Sequence, residues 1–192
     1  MYDLPTTVNI EGESFDIRNN ADYRMVLDCF NALNDEELTK QERIYACLII
    51  FYADINCIED LSKLPDINKA IEGMYRFFNF NEEDTTRNQL KLIDWDKDST
   101  MVCSAINKVA GKEVRAVDYM HWWTFMGYYM AVGESVLSTV VSIRHKILTG
   151  KKLEDYEKKF KRDNPSYFTW NSKTADQTEA ENWVQNMWNG GD

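Results

Sequence analysis

The chain is poor in backbone punctuators, with 3 Pro and 8 Gly among 192 residues, and it carries only 2 His. So few breakers leave little room for long structureless linkers. The four cysteines, Cys29, Cys47, Cys57 and Cys103, form no C-x-x-C pair and lie in apolar runs. They read as reduced core thiols, which excludes a disulfide frame or a zinc site and suits the cytoplasm. No segment offers 18 uninterrupted apolar residues, and "MYDLPTTVNIEGESF" lacks the layout of a signal peptide, so membrane spanning and secretion are not expected. Also missing are G-x-G-x-x-G, a P-loop and G-x-S-x-G, so no motif points to an enzyme or a cofactor.

What is present is charge of one sign and an excess of aromatics. The net charge is -10, and it is unevenly spread. Residues 1 to 100 hold 10 Lys and Arg against 21 Asp and Glu, whereas 101 to 192 hold 12 against 11. Eight basic residues fall between Arg144 and Arg162: Arg144, Lys146, Lys151, Lys152, Lys158, Lys159, Lys161 and Arg162. Without interleaved base-reading motifs this stripe reads as a solvated face that complements the acidic half, in this chain or a neighbouring copy, in preference to a nucleic-acid site.

Hydrophobic patterning predicts a mainly α protein: a single compact helical domain with a short N-terminal β-hairpin and a central aromatic-rich helix. Val8 and Ile10, then Phe15 and Ile17, alternate about a turn at Gly12. Asp22 can cap a helix burying Val26, Cys29, Phe30 and Leu33. "TKQE" from Thr39 has the spacing of a capping box, and Asp66 can open a third helix over Ile67, Ala70, Ile71, Met74 and Phe78. "NFNEEDTTRNQ" reads as a loop. A fourth helix follows "DWDKDS" and stops at Gly111, an aromatic helix begins after Asp118, and another carries Val136 to Ile147. The Asn-Pro after Asp163 ends the last firm helix. The domain so defined covers residues 1–165. Residues 166–192 form a tail with room for one short helix opened at Asp176.

Three groups of residues carry candidate chemistry. Asp94, Asp96 and Asp98 alternate as at the start of a calcium loop, but position six is Ser99 and position twelve is Ala105, so capping a helix start is the favoured reading over a metal site. His121 with Asp118 and Thr124 makes a polar stripe on the aromatic helix, read as a satisfied, partly buried histidine. Finally, "VDYMHWWTFMGYYMAV" is apolar on far more than one helical stripe, so the helix must be covered on most sides or keep one side for a partner. The candidate contact residues are Tyr119, Trp122, Trp123, Met126 and Tyr129, with Trp183, Met187 and Trp188 in the tail.

"DYMHWWTFMGYYMAVGESVLSTVVSIRHKIL" resembles the helix-break-helix core of the phage family named after gene product fifteen, found in tailed phages and prophages of Gram-positive bacteria. "YDLPTTVNIEGESFDI", "DYRMVLDCFNAL" followed by "DEELTKQERI", and "LIDWDKDSTMVCSAI" lie in family order, and the likeness spans roughly residues 2 to 165. The resemblance implies a role in tail morphogenesis. The genes of that family typically lie between those for the major tail and tape-measure proteins, the position of tail assembly chaperones. It therefore implies the tape-measure protein as partner, self-association on that client, the host cytoplasm as location, and no catalytic residues. The competing expectations are a structural tail or connector component kept in the virion, and a metal-dependent nuclease using Asp94, Asp96 and Asp98.

Overall fold

The computed structural model describes residues 3–80 and 92–169. Strands β1 (Thr7–Ile10) and β2 (Glu13–Asp16) pair antiparallel with Val8 opposite Phe15, and the turn at Glu11 and Gly12 has positive φ at both residues. Seven α-helices follow among the described residues: α1 (Tyr23–Leu33), α2 (Lys40–Phe51), α3 (Ile67–Phe78), α4 (Ser99–Ala110), α5 (Trp122–Met130), α6 (Val136–Leu148) and α7 (Asp155–Asp163). The protein is thus mainly α with an N-terminal hairpin. No described helix is long and apolar enough to cross a membrane.

The helix starts follow their local chemistry. Asp22 accepts from the Arg24 N–H, and Asp66 accepts from those of Asn68 and Lys69. Thr39 and Glu42 satisfy each other's free N–H groups at the start of α2, and Ser135 and Ser138 do the same for α6. Helix α4 stops at Gly111, where φ of 67° suits a residue without Cβ. Helix α7 ends at Asp163, before Asn164 and Pro165.

The chain divides into two compact units. The first takes its described residues from Met1–Arg87 and Tyr119–Phe125, the second from Asn88–Asp118 and Met126–Asp176. In the first, α1 packs on α2, and Val26, Cys29, Cys47, Leu48 and Phe51 are fully buried. The hairpin lies so close to α3 that a Cβ on Gly73 would stand 2.5 Å from Val8 Cγ1, which explains a glycine in mid-helix despite its entropic penalty. The Arg18 guanidinium donates to the carbonyls of Ile49 and Ile50 in the last turn of α2 and to those of Tyr52 and Ile55 just beyond it, so one cation serves both the helix end and the turn that follows. Cys29, Cys47 and Cys103 are buried free thiols as expected, but Cys57 is exposed because it falls in the turn after α2.

In the second unit α4 packs on α6, and the described chain continues past residue 165 into a 3₁₀ turn, Pro165–Phe168. That turn belongs to the packed unit: Phe160 stacks on Tyr167, and the Tyr167 carbonyl accepts from Arg144.

The aromatic segment departs from expectation. Helix α5 begins at Trp122, not after Asp118, because residues 119–121 are held extended: Asp22 and His121 form a β-bridge, and the Tyr23 N–H donates to the Met120 carbonyl. Nor is the helix covered along its length. Trp122 and Phe125 are buried, whereas Met130 is 66% exposed.

Candidate functional site

His121, Trp122 and Trp123 each aim a ring N–H at a backbone carbonyl. His121 Nε2 lies 2.9 Å from the Pro5 oxygen, and Nδ1 accepts from the Trp123 N–H at 3.1 Å. These two bonds together require the neutral Nε2–H tautomer. Burial pushes the imidazole pKa below its ordinary value, against a smaller opposing effect of the Pro5 carbonyl. Trp122 Nε1 donates to Phe78 O at 3.1 Å and Trp123 Nε1 to Phe77 O at 2.9 Å. Phe77 and Phe78 end α3, so the two indoles fill acceptor sites that the helix end leaves open. Asp22 completes the arrangement by accepting from the Met120 N–H at 2.9 Å while capping α1.

This triplet is therefore a latch within the first unit. Trp122 is 2% exposed, edge-on to Phe30 at 5.6 Å, and presents no surface to a partner; a large apolar ring whose one polar atom finds a carbonyl packs most favourably inside. Trp123 is half-buried against Phe77, and Tyr119 is 49% exposed with its hydroxyl donating to Asn20 O. Asp118 lies outside the helix, so the Asp118, His121 and Thr124 stripe on one helix does not form. Met126 and Tyr129, both half-buried, belong to the second unit, where Tyr129 packs on Trp95 at 5.5 Å. The sequence candidates are thus divided between two units. Trp183, Met187 and Trp188, and the helix expected from Asp176, lie outside the described residues, as does most of the loop expected from Asn79 to Gln89.

The three alternating carboxylates have separate occupations. Asp98 sits at the N-cap position of α4, yet its side chain makes no bond to the helix start. It forms a two-pronged ion pair with Arg144, 2.5 and 2.9 Å, and accepts from the Asp94 N–H. Asp94 caps the preceding turn through the Lys97 N–H, and Asp96 is exposed. No three His, Cys, Asp or Glu side chains among the described residues group as metal ligands would. Arg144 was read as part of an exposed basic stripe, but it is 1% exposed and also donates to the carbonyls of Leu92 and Tyr167. A buried guanidinium needs its donors satisfied, and five well-placed acceptor contacts supply this. Lys146 is likewise taken up by Glu157. Spacing cannot reveal such pairings, which join residues 46 and 11 apart.

The second unit also has an open feature that no motif announced. A cleft of about 440 Å³ runs between α4 and the start of α6. Met101, Ala105, Val136 and Leu137 give it apolar lining, and Lys97, Lys108, Glu134 and Tyr167 line it as well. Val136 is 49% exposed there, although it begins an apolar helix. The sequence signal was present but ambiguous, since Val136 follows helical spacing and reads as core.

No curated protein and no solved structure matches the chain. The family model described as Bacteriophage Gp15 protein matches residues 1–167, a span that includes the ring latch, the Asp98–Arg144 pair and every residue lining the cleft. With so much of its length matched, the chain belongs to the bacteriophage Gp15 protein family.

Proposed function

We propose that this protein is a tail assembly chaperone that binds the phage tape-measure protein and keeps it soluble during tail morphogenesis, by binding and not by catalysis. Membership of the Gp15 family is the observation that carries this reading, together with the gene position that the family resemblance implies. A cleft in the second unit supports this reading. The α4–α6 cleft has apolar lining that includes the half-exposed Val136, which suits the apolar stripe of a long helical client. A flexible Met101 in its lining allows one cleft to accept many different stripes.

The test is co-expression with the tape-measure protein encoded beside it. Soluble tape measure and its co-purification are expected with the wild-type chain and should persist in high salt, because the proposed contact is with the apolar lining of the cleft. Val136→Asp together with Met101→Asp should lower co-purification at least about tenfold, the effect of about 1.4 kcal/mol. A tape measure equally insoluble with and without this chain would remove the chaperone reading. Finding the protein in finished virions by mass spectrometry would favour a structural tail component.

A further inference from the structure

In a chain of net charge -10, four lysines stand exposed at and just before α7 without an acidic partner among the described residues: Lys151, Lys152, Lys159 and Lys161. Their neighbours are accounted for: Arg144 pairs with Asp98, Lys146 with Glu157, Lys158 with Asp155 and Arg162 with Asp163. Tyr156 on the same helix is 66% exposed. This stretch thus carries exposed positive charge with an exposed aromatic side chain beside it. It does not offer the row of aromatic platforms that single-stranded nucleic acid stacks upon.

The surface of opposite sign is on the chain itself. The described part of the first unit holds 15 Asp and Glu against 7 Lys and Arg, whereas that of the second holds 10 against 12. The loop between α1 and α2 exposes three consecutive acids, Asp35, Glu36 and Glu37. We propose that the lysine-rich stretch from Lys151 to Lys161 docks on the acidic α1–α2 loop of a second copy, so that copies associate head to tail. Because the two patches differ, the contact is heterologous: each copy keeps one free patch, and the assembly grows as an open row or closes as a ring. The attraction between such patches steers encounter and fixes orientation, and salt weakens it. If the chaperone reading holds, a row of copies would coat an elongated client by avidity, and the association itself does not require that reading.

Sedimentation of the purified full-length chain tests the proposal without any client. At about 0.05 M salt the average mass should rise with concentration to at least about twice the 22.5 kDa of one chain, and at about 1 M salt it should return to one chain. A variant with Lys151, Lys152, Lys159 and Lys161 all changed to Glu should sediment as a single chain at both salts, with unchanged helical content and melting. A second variant, Asp35→Lys with Glu37→Lys, should do the same. Mixed together, the two should associate again at low salt, because the intact acidic loop of the first meets the intact lysines of the second and their two reversed patches also complement each other. A wild type that stays single at low salt, an assembly unaffected by the lysine changes, or failure of the two variants to pair would each overturn the proposal. So would binding of duplex DNA by the wild type that the lysine changes abolish while self-association is absent.

Discussion

The two units solve one problem, holding irregular chain against helices, with different chemistry. In the first unit, aromatic rings do it: Trp122 and Trp123 donate to the last carbonyls of α3, and His121 donates to Pro5. In the second unit, charge does it: Arg144 joins Asp98 to the carbonyls of Leu92 and Tyr167, with Lys146 on Glu157 beside it. The consequence is a difference in how each fails. A ring latch loses apolar burial and leaves a carbonyl unsatisfied when truncated, while a charged hub leaves a buried ion without its partner.

The largest effect is expected from breaking the hub. Arg144→Ala strands the Asp98 carboxylate inside the second unit and should cost about 3–5 kcal/mol, a large share of a domain's stability. Removing both charges, as Arg144→Met with Asp98→Leu, should be markedly milder, since no ion is then buried alone. Chemical denaturation of the three proteins checks this. A double variant as unstable as the single would show that the ion pair itself, and not the stranded charge, supplies the stability.

Truncating the ring latch should cost a similar amount. Trp122→Ala empties a buried site beside Phe30 and frees the Phe78 carbonyl, for a loss of about 3–5 kcal/mol. Trp123→Ala, at a half-buried site, should cost less. Thermal melting separates them. At this chain length 1 kcal/mol moves Tm by about 2–4 °C, so equal shifts for the two would contradict the burial difference.

The smallest effect is a pH dependence confined to the first unit. Burial holds the His121 pKa below its ordinary value near 6.5. As pH falls past that value the unfolded chain takes up a proton first, so the stability contributed by the neutral imidazole is complete above about pH 6.5 and drains away until the folded pKa is passed. His121→Gln should therefore be less stable at pH 7.5 and should show a flatter fall in Tm between pH 7.5 and 5.5. Parallel slopes for variant and wild type would show that His121 does not titrate differently on folding.

The same comparison shows how much was legible in advance. Periodicity and caps located the hairpin, the starts of α1, α2 and α3 at Asp22, Thr39 and Asp66, and the stops at Gly111 and Asp163, because each depends on atoms within a turn or two of chain. The start of α5 was misplaced because a contact from Asp22, 98 residues away, holds Met120 extended. Arg144 was misread as exposed, since a basic residue among other basic residues gives no local sign of a buried carboxylate 46 residues earlier. The family could be recognised from the ring triplet and its neighbours, but the triplet's work could not, because a Trp that anchors a core and a Trp that meets a partner have the same spacing.

By itself, then, the sequence determined the helical class, most element boundaries, the family and the uneven charge, all of which follow from local hydrogen bonding, apolar period and composition. The tertiary structure alone decided that Trp122 closes a core, that Asp98 serves Arg144 and not a helix start, and that Val136 lines an open cleft between α4 and α6. Those outcomes depend on which distant groups compete for one ring, one carboxylate or one face, and that competition is settled only when the chain is packed.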